Sequence, residues 1–383
     1  MAEGIANPEA VLFREQQAGG GQRIGFAQLN AEKALNALNL DMIRLLDPQL
    51  RRWAADPRIA CVVLHGAGAK AFCAGGDVRF LRDSILEYRN APAPNPKAQA
   101  FFAEEYRLDY LIHTYAKPIL AWGGGIVMGG GLGLLAGASH RVVTETSRIA
   151  MPEIGIGLYP DVGGSWFLRR MPGCTGLFLA LTGAALNGSD ALEVGLADCF
   201  LRAADQAALF EELALAQWSA APEDNRAVLS RLLRRFAREA QVVQPPSAVR
   251  AQYLAIQQLT EGDSLAEVFA AITGYGGDDA WLKKAAASLA AGSPTSAALV
   301  WALWQRARHL GLAEVFRLEL IVSLQCCEHP DFAEGVRALL VDKDNRPRWT
   351  PATLAGITPQ WVAEHFAAPW SVWANEAHPL ADL

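Results

Sequence analysis

The chain has 383 residues, 51% of them hydrophobic and 9% aromatic, enough to bury a large core and longer than one domain usually needs. Lys and Arg number 34 against 40 Asp and Glu, a formal net charge of −6 with no basic tail, which excludes a general attraction to nucleic acid or to an anionic membrane surface. Cys61, Cys73, Cys174, Cys199, Cys326 and Cys327 form no C-x-x-C pair and no metal-ligand pattern with the seven histidines, so reduced, partly buried thiols are expected and no metal is.

From Met1 to Glu9 acids come early, and no basic segment precedes an apolar one; this reads against a secretory or transit peptide and makes the cytoplasm the expected compartment. After this short lead, the pattern predicts a strand over Arg23–Gln28, a helix over Leu40–Ala55 and a buried strand over Ile59–Leu64. The loop His65–Asp77 follows, and Asp77 is placed to cap a helix starting at Val78. A flexible Pro-rich insert is expected over Ala91–Pro96. Beyond it come a helix over Phe101–Tyr115, a strand over Pro118–Trp122, a short helix over Gly129–Ala138 and a strand over Arg141–Glu145. Strands alternating with helices imply an α/β core with a largely parallel sheet, in which ligands lie where strand ends meet helix starts.

Past Ala203 the strand signals fade. Long helical runs are predicted over Gln206–Ser219, Asp224–Ala240 and Ser296–Cys327, with Gln244–Ser247 as a turn. The expected organisation is a core over residues 1–202 and a mainly helical region over 203–383 that completes the fold.

Two glycine-rich loops and two acids carry the chemical signal. Ala74-Gly-Gly76 and Met128-Gly-Gly-Gly131 sit at predicted strand-to-helix junctions, where main-chain N–H groups approach a ligand closely and a helix start favours negative charge. Gly76 and Gly130 are the natural pair of donors for an oxyanion; the competing reading is that the glycines serve only tight turns and close packing. Glu153 and Asp161 are separated by Gly155, Gly157 and Pro160, which forbid a continuous helix, so a folded-back loop is needed to bring them together. As a pair they suit a base or nucleophile beside a group that positions water or a substrate hydroxyl. Separately, Glu153 reads as a surface loop residue and Asp161 as the cap of a helix near Val162.

Other chemistries find less support. Ile119–Ser139 is uncharged and long enough to span a bilayer, but eight of its residues are glycine, which suits a buried strand, turn and helix start better. Gly131-Leu-Gly133-Leu-Leu-Ala136 fits a dinucleotide fingerprint, yet lacks a ribose-binding acid at the expected strand end. There is no G-x-S-x-G elbow, no P-loop and no H-E-x-x-H.

Taken together, Ala71–Asp77, Lys117-Pro118, Met128–Gly131 and Met151-Pro-Glu153 resemble the crotonase (enoyl-CoA hydratase/isomerase) superfamily. Pro152–Gly164, Phe101–Tyr106, Ser293–Ser296 and Phe332–Asp344 extend the resemblance over nearly the whole chain, toward the superfamily's hydrolases of 3-hydroxyacyl-CoA thioesters that serve valine catabolism. The resemblance implies a crotonase-like spiral of ββα units with a helical C-terminal region. It implies an acyl-CoA partner whose thioester oxygen meets the N–H groups of Gly76 and Gly130, and no cofactor, since coenzyme A is part of the substrate. It aligns Glu153 with the catalytic glutamate, Asp161 with a second acid and Glu105 with a substrate-contacting acid, although Glu105 alone reads as a solvated helix residue. Homo-oligomers are common in the superfamily, so self-association is expected. Ordinary hydratases carry a second glutamate two positions beyond the glycine triplet, where this chain has Gly133. The implied activity is therefore hydrolysis to a free 3-hydroxy acid and CoA, with enoyl-CoA hydration or isomerisation as the alternative.

Overall fold

A computed structural model of the chain describes residues 9–89, 95–370 and 377–383. The N-terminal lead up to Pro8 and positions 91–94 of the expected Pro-rich insert lie outside the described residues. The chain forms two compact units, each built from three separated stretches. The first comprises the stretch ending at Gly76 with Leu108–Ile149 and Leu186–Arg250, and the second comprises Asp77–Arg107, Ala150–Ala185 and Ala251–Leu383. Ala203, where the composition changes, lies inside the first unit.

Nine strands are described: β1 Val11–Gln17, β2 Arg23–Leu29, β3 Ile59–Gly66, β4 Ala71–Cys73, β5 Ile119–Gly123, β6 Ile126–Met128, β7 His140–Val143, β8 Arg148–Ala150 and β9 Cys199–Phe200. The first unit holds a six-stranded sheet in the order β1-β2-β3-β5-β7-β9. Its only antiparallel pair is the hairpin β1–β2, running from Val11 opposite Leu29 to Gln17 opposite Arg23; the remaining neighbours are parallel. β3 and β5 are buried along nearly their whole length, on both faces of the sheet, and this is why their sequences read as continuous hydrophobic runs. β1 was not expected: Arg14, Glu15, Gln16 and Gln17 give a solvated edge strand a polar signature.

Helix Leu40–Ala55 has the expected bounds. Asn39 caps it by accepting from the Met42 N–H at 2.9 Å, and Met42, Ile43, Leu46, Leu50 and Trp53 form its buried stripe. Helices Gln206–Leu215 and Pro222–Ala240 bury Leu209, Leu213, Leu229 and Leu233 in one cluster with Ile24, Phe26, Val63, Leu120 and Val142 of the sheet. The uncharged stretch 119–139 folds as β5, β6 and helix Gly130–Ala136 in place of one spanning helix, and no single helix among the described residues is long and apolar enough to cross a membrane. β4, β6 and β8 make a second, three-stranded sheet. These three-residue strands are too short to leave a period in the sequence, so they read as loop.

The second unit is mostly helical. Asp77 caps helix Val78–Tyr88 as expected, accepting from the Phe80 N–H at 3.1 Å. Asn95 and Pro96 belong to the start of helix Pro96–His113, where Asn95 Oδ1 accepts from the N–H groups of Lys97 and Ala98, both at 3.1 Å. The single run expected over Ser296–Cys327 is two helices, Pro294–Arg306 and Leu312–Glu328. Gly311 starts the second, and the Glu314 carboxylate reaches back to its N–H at 2.7 Å.

Asn36 ties the turn before the first helix to the segment that precedes the first glycine loop. Fully buried and at φ +54°, it accepts from the Ala31 N–H at 3.0 Å and donates to the carbonyls of Ala67 and Ala71 at 3.0 and 2.9 Å. Asn36→Ala takes this partner from two buried carbonyls and a half-buried N–H and puts a less tolerant residue in the left-handed region, so a loss of roughly 3 kcal/mol is expected in denaturant unfolding; a change below about 1 kcal/mol would contradict this account.

Candidate active site

In the first unit the two glycine loops lie against each other. β4 and β6 pair in parallel, Ala71 with Ile126 and Cys73 with Val127, so the segments leaving both strands emerge side by side. After β4 the chain is held by the Ala74 N–H donating to Leu35 O at 3.1 Å and the Leu38 N–H donating to Gly75 O at 2.8 Å. After β6, Gly129 turns at φ +49° and ψ −125°, and Gly130 begins the helix. A Cβ on Gly131 would stand 2.2 Å from Cys73 O, so the backbones meet only because no side chain intervenes. The steric reading of the glycines therefore holds at Gly131. Gly130, as the first residue of the helix, has an N–H with no partner inside that helix.

In the second unit a folded-back loop carries the two acids. The Glu153–Ile156 turn closes at Gly157, at φ +72°, whose N–H donates to Glu153 O; a Cβ there would stand 2.3 Å from Asp331 O. The Leu158 N–H also donates to Glu153 O, at 3.1 Å. Glu153 is 5% exposed, and its Oε2 has no hydrogen-bond partner among the described residues, so it is not the surface loop residue of its isolated reading. Burial, then the neighbouring charge of Asp161, pushes its carboxyl well above the usual range.

Asp161 is also buried, and it caps no helix. Helix Gly164–Phe167 has Gly163 at its N-cap with no side-chain cap, while Asp161 Oδ2 accepts from the Tyr106 hydroxyl at 2.7 Å. Burial pushes the Asp161 carboxyl up to about 6, and the Tyr106 hydrogen bond works against that rise. Val162, next to it, is held at φ +51°, a conformation that costs of order 1–3 kcal/mol for a β-branched residue. Glu105 lies on helix Pro96–His113 at 2% exposure, buried where its isolated reading made it solvated.

Four side chains of this region went unnoticed in the sequence. The Tyr106 hydroxyl shares a hydrogen bond with Ser323 Oγ at 2.7 Å. Ser323 Oγ also meets the Tyr159 hydroxyl at 2.8 Å, and that hydroxyl donates to the Glu319 carbonyl at 2.7 Å. The Glu319 carboxylate accepts from the Gly163 and Ser165 N–H groups at 2.7 and 2.9 Å. Burial pushes it up to about 8, opposed chiefly by the hydrogen bonds from Ser165. The available signal was an acid inside the apolar run Val315–Leu324, with Ser323 one helical turn on. All six cysteines are free, five buried and Cys174 half-buried.

A family model described as enoyl-CoA hydratase/isomerase matches residues 24–366. The 3-hydroxyisobutyryl-CoA hydrolase, mitochondrial, of Danio rerio is 40% identical over 90% of this chain and 87% of its own length. That of Xenopus tropicalis is 38% identical over 90% and 86%. A solved structure of a carnitinyl-CoA dehydratase from Mycobacterium thermoresistibile superposes with a TM-score of 0.81 at 35% identity, covering 94% of this chain and 96% of that one. The expected α/β architecture of crotonase type is thus the observed one. The expected cytoplasmic compartment is corrected by the relatives, both of which are mitochondrial by name. A cellular address is read by receptors from a signal, and composition near the N-terminus was a poor guide to it.

The raised Asp161 carboxyl has a measurable consequence for stability. A proton held more tightly in the folded state contributes stability that is full below the ordinary value of 3.8 and is lost as pH rises through about 6. Asp161→Asn removes this dependence, so the variant is expected to gain stability relative to the parent as pH rises from about 4 to about 6. Parallel pH dependences in denaturant melts of the two proteins would show that Asp161 is not held protonated by its burial.

Proposed function

The chain belongs to the enoyl-CoA hydratase/isomerase family, and from that premise we propose that it hydrolyses 3-hydroxyisobutyryl-CoA, or a closely similar 3-hydroxyacyl-CoA, to the free 3-hydroxy acid and CoA. The observation that carries this reading is the buried Glu153 carboxylate, with one oxygen unspent, beside a second buried acid, Asp161. Once ionised, a carboxylate with an unspent oxygen in a dry setting is a strong base and nucleophile for any electrophile admitted to it, and its raised affinity for a proton is what a general base needs. The hydrolase names of relatives at 40% and 38% identity over nine-tenths of the chain support the reaction class, and valine catabolism is its natural setting. Gly133, standing where hydratases carry their second glutamate, weighs against water addition across a double bond.

In this reading the N–H groups of Gly76 and Gly130 polarise the thioester oxygen, each contributing about 10²–10³ in rate. Glu153 then attacks the carbonyl carbon, expelling CoA as its thiolate and leaving a mixed anhydride that water cleaves. Alternatively it takes a proton from water, whose oxygen attacks instead. Both routes consume one water and yield the acid and CoA. Asp161 holds the substrate 3-hydroxyl or the attacking water, and Glu105 contacts the substrate. No cofactor enters either route, and a homo-oligomer is the proposed assembly.

The alternative, hydration or isomerisation of an enoyl-CoA, takes its support from the dehydratase named among the solved structures. Thiol release from 3-hydroxyisobutyryl-CoA is expected, without loss of the conjugated enoyl absorbance when crotonyl-CoA is supplied; the reverse pattern would establish the alternative. Glu153→Gln is expected to lower kcat by about 10²–10⁴ while calorimetric binding of the acyl-CoA stays within about threefold. Turnover near the parent rate in that variant would remove Glu153 from the mechanism.

A further inference from the structure

Helix Leu312–Glu328 carries Glu319 and Ser323 one turn apart, both fully buried; hydrogen bonds lead from Ser323 to the Asp161 carboxyl and from Glu319 to the backbone two and four residues beyond Asp161. Glu319 takes the backbone path. Its two carboxylate oxygens accept the Gly163 and Ser165 N–H groups at 2.7 and 2.9 Å, gripping the chain immediately after Asp161 and the left-handed Val162. Ser323 takes the side-chain path, through the Tyr106 hydroxyl at 2.7 Å, which itself donates to Asp161 Oδ2 at 2.7 Å. Tyr159 packs between the two, its hydroxyl donating to the Glu319 carbonyl while its oxygen stands 2.8 Å from Ser323 Oγ, whose own proton is taken by Tyr106.

A fully buried carboxyl group spent on two backbone amides is an expensive way to close a turn, because a polar group of this kind removed from water needs full compensation whichever form it takes. What the bidentate grip adds is rigidity in a strained segment, and a rigid frame fixes where the Asp161 oxygens stand. We propose that Glu319 and Ser323 are positioning residues for Asp161, setting the enzyme's preference for 3-hydroxylated over plain acyl-CoA thioesters without touching substrate. The inference rests on the reading above in which Asp161 meets the substrate hydroxyl.

The test compares kcat and KM for 3-hydroxyisobutyryl-CoA and isobutyryl-CoA in the full-length parent, Glu319→Gln, Ser323→Ala, Asp161→Asn and the Glu319→Gln/Asp161→Asn double variant. Gln keeps the shape of Glu319 but offers one acceptor in place of two and turns a donor toward an N–H. Both Glu319→Gln and Ser323→Ala are expected to lower kcat for the hydroxylated thioester by about tenfold to hundredfold, with the plain thioester within about threefold, so that the preference collapses. The double variant is expected to be no worse than Asp161→Asn alone, since residues acting through one group do not add. A merely structural role would lower stability and leave the ratio of the two substrates unchanged. The inference alone is overturned if Asp161→Asn collapses the preference while Ser323→Ala and any folded Glu319→Gln retain it, or if the losses multiply in the double variant. If Asp161→Asn itself retains the preference, the inference falls together with the role given to Asp161. Circular dichroism and thermal melts establish which variants are folded; if Glu319→Gln is not, the ratio in Ser323→Ala decides.

Discussion

Two carboxylates kept out of water beside each other are the constraint around which the second unit is arranged. An isolated buried carboxylate is unstable as an ion, and a like charge next to it makes ionisation harder still. The two acids meet this differently. Asp161 takes a hydroxyl donor, Tyr106, that favours its charged form, while one oxygen of Glu153 has no donor at all. Burial raises both groups, yet the geometry gives them unequal surroundings, and unequal surroundings separate the work of paired acids. A pair whose environments push its members apart can hold one group as an acceptor for substrate while the other moves protons or electrons.

Holding such a pair requires a backbone that does not relax. Gly157 admits a left-handed turn with the carbonyl of Asp331 too near for any Cβ, and Val162 sits in a conformation that a β-branched side chain resists. The Glu319 carboxylate fastens the following amides. Local strain persists where surrounding structure over-determines it, which is the situation of this loop. The first unit solves a related problem with glycine alone: β4 and β6 run side by side, and the loops that leave them touch because Gly131 has nothing to put between itself and Cys73.

Much of this was legible in the sequence where the cause is local. The helix at Leu40–Ala55 was readable from its apolar stripe, and Asp77 revealed a helix start because a cap acts within one turn. β3 and β5 were readable because burial on both faces demands an unbroken apolar run. The strands β4, β6 and β8 were not, since three residues carry no period, and β1 hid behind the polar residues of an edge. Glu153 and Asp161 stood out by type and spacing, but their isolated readings as a surface acid and a helix cap fail on burial and on the Tyr106 hydroxyl 55 positions away.

The sequence by itself determined the family, the α/β alternation, the glycines where backbones must pass closely and the identity of the acids, because each is written in residue types or in periods of a few positions. Tertiary structure alone decided that Ala203 falls inside a unit, that Glu105 is buried, that Asp161 is held by Tyr106 and that Glu319, 156 positions from Gly163, grips the turn. The reason is physical: burial and hydrogen-bond partnership are set by segments far apart in the chain, and a carboxylate's charge depends on what the fold places around it, which no local pattern encodes.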